Sequence, residues 1–331
     1  MPALTLSREY LNLLSTTLDH YLGDVPFTDQ VFQTSEVLNW FNKNAKKIAG
    51  GGATITGTVL YADNTTTAQA EGFTAVGTND VEQFTRYLFT PTEYKTSVVI
   101  SKADMLKNRG EEQLSKLLED KLAVAKLSIA NAVNNDLIDG TGNMVSLSEI
   151  VATTGTVGSL APADVAQWAS QTATASDFNG TSAATNGLLN MRTLHTACMF
   201  GNERPDVIFA DESGFNVYEQ IASANERPIY DVTTALASNG KVKKMIDAGF
   251  FGWSYRGIPV YFDRAMTANK MYFVNSNHTF LEVYRGADFD KTPFEDATIL
   301  GKTAAVCLFH WMGQLITRAR RLNGILNDTN T

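Results

Sequence analysis

Residues 50–61, Gly50-Gly51-Gly52-Ala53-Thr54-Ile55-Thr56-Gly57-Thr58-Val59-Leu60-Tyr61, decide the fold of this chain. After three glycines the sequence alternates with period two, the pattern of a half-buried strand. Asp63-Asn64 reads as the turn, and a return strand is expected through Phe73, Val76, Val81, Phe84, Tyr87 and Phe89. No lysine lies between Lys47 and Lys95. A lone two-stranded hairpin is at best marginally stable in water, so one this long needs cover from elsewhere, and a second copy of the chain could supply it.

Downstream, Ser101-Lys102-Ala103-Asp104 is a variant capping box, and Asn108-Arg109-Gly110 interrupts before a long helix expected from about 111 to 139. Its Leu114, Leu118, Leu122, Ala125, Ile129, Val133 and Leu137 share one face. At 1.5 Å per residue the helix would be on the order of 40 Å long, a spine closed by Gly140-Thr141-Gly142. The small-residue stretch 145–180 reads as extended loops with a helical piece around Trp168. Residues 188–200 read as a helix closed by Gly201. Residues 205–210 read as a buried strand, and Asp211 as the cap of a helix carrying Phe215, Val217, Tyr218 and Ile221, which is a local α/β layer. From 250 to 283 about three strands are expected, with turns at Arg256-Gly257 and Thr267-Ala268-Asn269; a last strand, 304–318, is broken at Asn323-Gly324.

Upstream, two amphipathic helices are expected before the hairpin. Ser7 caps one with Leu11, Leu14, Leu18 and Tyr21 on a face; Ser35 caps another that buries Val37, Phe41 and Ile48 and ends among Lys43, Lys46 and Lys47. The whole chain has 331 residues, 44% of them hydrophobic and 19% charged, the balance of a globular protein with a sizeable core. Its formal charge of -8 opposes tight non-specific binding to nucleic acid, which depends on lysine and arginine neutralising phosphates. Cys198 and Cys307 lack any paired spacing and are expected as buried thiols. The N-terminal residues lack a signal peptide's basic and apolar regions, and the longest apolar run, 304–309, is too short to span a bilayer, so a cytoplasmic origin without membrane is expected.

Motifs for chemistry are weak. Gly301-Lys302-Thr303 resembles the end of a phosphate loop, but Asp296 replaces the first glycine. Gly50-Gly51-Gly52 precedes a strand, the reverse of a dinucleotide fingerprint. His20, His195, His278 and His310 are scattered and do not form a metal pair. Ser238 and Lys241 have Ser-x-x-Lys spacing about an Asn-Gly turn, where the chemistry needs a helix. Asp211, Glu212 and Asp263 are more simply caps and turns than acid and base. The sequons at Asn64, Asn179, Asn277 and Asn327 have no secretion signal to give them meaning. Arg318, Arg320 and Arg321 form the tight basic cluster, read as salt-bridge partners of acidic neighbours or as a contact with phosphate. No catalytic residue, cofactor or metal site is expected.

The order of arm, hairpin, spine helix, α/β layer and returning strand resembles the major capsid proteins of tailed bacteriophages, the Hong Kong 97-type coat family. The residues that carry the likeness are Thr96-Ser97-Val98-Val99-Ile100-Ser101, Asn134-Asn135-Asp136-Leu137-Ile138-Asp139-Gly140-Thr141-Gly142, Pro205-Asp206-Val207-Ile208, Gly257-Ile258-Pro259-Val260-Tyr261-Phe262-Asp263 and Lys270-Met271-Tyr272-Phe273-Val274-Asn275. The resemblance implies an α+β fold. Its parts would be an N-terminal arm over 1–49, an extended loop over 50–92, a peripheral domain over 93–150 and 276–320, an axial domain over 151–275, and a C-terminal tail over 321–331.

It further implies self-assembly through pentamers and hexamers into an icosahedral head that encloses double-stranded DNA, with the acidic balance leaving that DNA loosely held. Some relatives weld the extended loop to a neighbour through a lysine, which this loop lacks, so burial without a covalent bond is expected. The short stretch before the hairpin implies a separate scaffolding protein, and a portal is expected as a further partner. The candidate hinge and contact residues are Gly50, Gly51, Gly52, Gly57, Tyr61, Gly72, Phe73 and Gly77 in the hairpin, with Arg318, Arg320 and Arg321. The competing readings are an encapsulin-like nanocompartment enclosing a cargo enzyme, a cytosolic α/β hydrolase using Ser238 and Lys241, and a sugar-binding surface protein using exposed aromatics near Trp253 and Tyr255.

Overall fold

The structure is a computed structural model that describes residues 36–67, 69, 71–73, 75, 77–103, 111–140, 142–174, 183–225, 253–297 and 303–327. The readings at Ser7, His20, Ser35, Asp104, Asn179, Ser238, Lys241, Gly301 and Lys302, and that of the Leu114 side chain, lie outside what is described.

The spine is present as α2, Glu111–Asp139, 29 residues long, after α1, Glu36–Asn44. Leu118, Leu122, Ala125, Ile129, Val133 and Leu137 are all buried, as their spacing predicts. Gly140 closes the helix by donating its N–H to the Asp136 carbonyl at 3.2 Å. The N-terminal helix is shorter than expected. It stops at Asn44, and Lys46–Ala49 form strand β1, parallel to β10, Thr279–Tyr284. Ile48, expected in the core of a helix, is 69% exposed, because strand pairing to β10 turns it outward.

Two six-stranded sheets organise the molecule. In the first, the long strand β13, Ala304–Thr317, runs through the middle. On one flank it pairs with β4, Thr92–Ser101; on the other it pairs with β10, β11 (Asp290–Lys291) and β12 (Glu295–Asp296), and β1 lies outside β10. The spine packs on β4 and β13, and α1 packs on the spine, where Leu38 N–H donates to the Asn134 side-chain oxygen at 3.2 Å.

The second sheet has the order β5-β14-β9-β6-β8-β7, from Gln171–Thr174, Gly324–Asn327, Lys270–Val274, Val207–Ala210, Ile258–Phe262 and Ser254–Tyr255. The stretch assigned to a C-terminal tail thus contributes β14, an interior strand held between β5 and β9. Period two explains how this sheet is buried on both faces. Val207 and Phe209, Tyr272 and Val274, and Ile325 turn to the main core, with Trp40 and Phe41 of α1 against Phe209. Ile208 and Ala210, Met271 and Phe273, and Leu326 turn to a second cluster with Met191, Leu194 and Tyr218 of helices α4, Ala183–Ala197, and α5, Glu212–Asn225. Strand β6 followed by α5 is the α/β layer read from the sequence, and Asp211 caps α5 by accepting from Ser213 and Gly214 N–H groups at 3.2 and 2.9 Å. The turns at Arg256-Gly257 and Asn269 fall where expected, with φ of 50°, 78° and 59°.

Candidate subunit interface

The hairpin is built from β2, Ile55–Leu60, and β3, Phe84–Phe89, paired antiparallel from Ile55↔Phe89 to Leu60↔Phe84. The connection between them is longer than a turn at Asp63-Asn64. Asn64 does form a local turn, its side chain accepting from Thr66 N–H at 3.0 Å, but pairing resumes only at Phe84, so Phe73 lies in a loop and not in the return strand. Val76 is outside the described residues.

The two faces of this ribbon differ. Ile55, Gly57, Val59, Tyr87 and Phe89 face the protein; Tyr87 stacks on Trp168 with ring centroids 6.2 Å apart, and Phe89 is 1% exposed. Gly57 lies opposite Tyr87, and a Cβ there would stand 2.2 Å from the phenol oxygen, so this glycine admits a ring and does not serve as a free hinge. At the root, Gly158 accepts from Leu88 N–H at 2.9 Å, has φ +59°, and would bring a Cβ within 2.8 Å of the Phe89 ring. Gly158→Ala is therefore expected to cost about 1–3 kcal/mol through left-handed strain and crowding. Urea unfolding measures that loss, and limited proteolysis between 50 and 90 should speed up as the root loosens.

Among the described residues the outer face has no such cover. Leu60 is 58% exposed opposite Phe84 at 66%, with Leu88 also exposed, and Phe73 in the loop is fully exposed. Apolar side chains grouped on one projecting element mark a contact with another molecule. Gly51, Gly52 and Gly72 have positive φ, and Gly50 and Gly77 are exposed. Tyr61 is half-buried, its N–H donating to Gln83 O at 2.9 Å, and Tyr284 Oη donates to Gly52 O at 2.6 Å to fix the base of the ribbon.

The arginine cluster takes a different form from the expected salt bridges. Arg320 is fully buried and donates to five backbone carbonyls, those of Glu149, Ile150, Ala152, Thr154 and Gly155, at 2.5 to 2.9 Å. These close the C-terminal end of helix α3, Leu147–Val151, whose start carries a full capping box at Ser146 and Glu149. Burial pushes the Arg320 pKa down to about 10, with Glu149 opposing that shift. Arg320 is thus an internal clamp and not an inter-subunit contact. Arg318 stands 4.9 Å from the Phe280 ring centroid, with Lys47 at 3.4 Å over the same ring, and Arg321 lies 4.2 Å from the Phe200 centroid. Burial and then the Arg318 charge lower the Lys47 pKa.

Among the described residues the candidate acid and base groups Asp211 and Asp263 serve as caps. Asp263, 1% exposed, accepts from Val37 and Ala265 N–H groups at 3.0 and 2.8 Å, so it caps α1 from far along the chain while Asp211 caps α5. Cys198 and Cys307 are free and buried, and burial drives the Cys198 pKa up to about 12. His278 faces Glu203 at 3.8 Å, and burial followed by Arg256 and Arg204 lowers the pKa of His195. Among the described residues no group of His, Cys, Asp or Glu could hold a metal ion, and no helix is long and apolar enough to cross a membrane. Tyr255, expected as an exposed sugar platform, is buried in the second cluster with Trp253 packed against it.

No family model and no curated protein matches the chain. Solved structures do. The capsid asymmetric unit of cyanophage A-1(L) aligns with TM-score 0.64 at 14% identity over 93% of this chain and 96% of that one. A structure from Mycobacterium phage Bobi aligns with TM-score 0.59 at 12% identity over 99% and 100%, and the capsid of Myoviridae phage XM1 with 0.58 at 10% over 93% and 97%. The likeness at such identities is one of fold. The chain has the Hong Kong 97-type fold of tailed-phage capsid proteins.

Proposed function

We propose that the chain is a major capsid protein, which assembles through pentamers and hexamers into the icosahedral head of a tailed double-stranded DNA phage. One observation carries the reading: a capsid-subunit fold over nearly the whole chain, bearing a ribbon whose outer face exposes apolar side chains that no described residue covers. An isolated subunit gains nothing from exposing Leu60, Phe73 and Phe84, whereas a shell repays it at every contact by burial. The first sheet with the spine corresponds to the peripheral domain, the second sheet to the axial domain, and residues 50–92 to the extended loop over a neighbour. The glycines at 50, 51, 52, 72 and 77 let that loop take different paths in differently placed copies.

A scaffolding protein and a portal complete the list of partners, and assembly takes place in the host cytoplasm before the protein resides in the virion. Ser238 and Lys241, on which the hydrolase alternative relies, lie outside the described residues. Light scattering on the purified chain should give masses many-fold above 36.1 kDa. Particles recovered from cells should protect duplex DNA from nuclease. A co-purifying enzyme in place of DNA would assign the same shell to a nanocompartment.

A further inference from the structure

The register of the second sheet brings distant parts of the chain to one end. β6 pairs parallel with β8 and antiparallel with β9, and β9 pairs antiparallel with β14, so β6, β8 and β14 all start where β9 finishes. An arginine precedes each start: Arg204 before β6, Arg256 in the β7–β8 turn and Arg321 before β14. Helix α4 ends there too, with Cys198 and Leu194 against Gly324, and it carries Arg192 one turn before His195. The His195 ring lies 6.3 Å from Tyr255, and the Arg256 guanidinium 5.8 Å from that same ring. Arg192, Arg204 and Arg256 are exposed, and no ion pair among the described residues includes any of the four arginines. Beside them lie Phe200 and Met199, 59% and 42% exposed. The lowered pKa of His195, caused first by burial and then by Arg256 and Arg204, fits a site where positive charge converges.

The chain carries the complement of this end on its own hairpin. Asp63, Glu71, Asp80 and Glu82 are exposed in the connection between β2 and β3, with no basic residue from 50 to 85, and Phe73 stands out from the same loop. We propose that the arginine-rich end of the second sheet receives the acidic 61–83 loop of a second copy, with Phe73 covering Phe200 and Met199. The proposal rests on the shell reading and names the surface on which the loop lands. Packaged duplex is the poorer occupant, because a phosphate backbone offers nothing to the apolar strip, whereas the loop meets both the charge and the strip.

Charge reversal tests it. Arg204→Glu with Arg256→Glu should lower the assembled fraction about tenfold or more at low salt, as should Asp80→Lys with Glu82→Lys, while each protein keeps the wild-type circular dichroism spectrum. Combining both pairs should restore assembly, the signature of direct coupling that a merely structural defect would lack. Phe73→Cys with Phe200→Cys should give disulfide-linked multimers on oxidation. Shells at wild-type yield from the arginine variant, with no cross-linked multimers, would overturn the proposal and leave the shell reading intact. Normal shells that release their DNA at lower salt would overturn it in favour of phosphate binding. A wild-type chain that forms no particles would remove both readings together.

Discussion

Replacing Arg320 with methionine is expected to destabilise the unassembled chain by about 3–5 kcal/mol, because removing a buried charged donor deprives several carbonyls of a partner at once. Methionine keeps most of the volume, so the loss reports hydrogen bonds more than a cavity. The five carbonyls that Arg320 serves lie at the end of α3 and in the turn beyond it; two of them have a further donor, Glu149 O from Ala152 N–H at 3.3 Å and Ala152 O from Ser170 Oγ at 2.7 Å. Arg320→Lys should recover only part of the loss, since an ammonium has three donors and no planar fork. Urea unfolding of both variants reads the effect. A methionine variant within about 1 kcal/mol of wild type would show that the clamp holds nothing.

The second large effect is on assembly. Replacing residues 63–80 with a short Asn-Gly link keeps the β2–β3 pairs from Ile55↔Phe89 to Leu60↔Phe84, and therefore keeps Tyr87 and Phe89 on Trp168 and Gly158. The shortened chain should fold with the wild-type spectrum and melting temperature yet form no shells. A wider deletion that took β2 would uncover the inner face and confuse misfolding with failed assembly. Closed particles from the shortened chain at wild-type yield would show that the loop has no part in contacts between copies.

The elements legible in the sequence are those whose signal is local. The spine's apolar residues repeat on one face over many turns, the hairpin alternates with period two, and Asp211, Arg256-Gly257 and Gly140 each carry their own turn chemistry. What the sequence hid depends on partners far along the chain. Lys46–Ala49 become a strand because β10 is there to pair with, and Gly324–Asn327 because β5 and β9 leave a place between them. Arg320 looks like any member of a basic run; its neighbours in sequence give no sign of carbonyls from 149 to 155. Gly57 reads as flexibility until Tyr87 is seen above it. The arginines near β6, β8 and β14 are separated in sequence and become a group only through sheet register.

The central claim is that this chain makes a shell, and electron microscopy of the purified wild-type protein, alone and with a scaffolding protein, tests it most directly. Closed icosahedral particles, with the hairpin of each copy lying over its neighbour, are the predicted result. Monodisperse single chains under both conditions would contradict it.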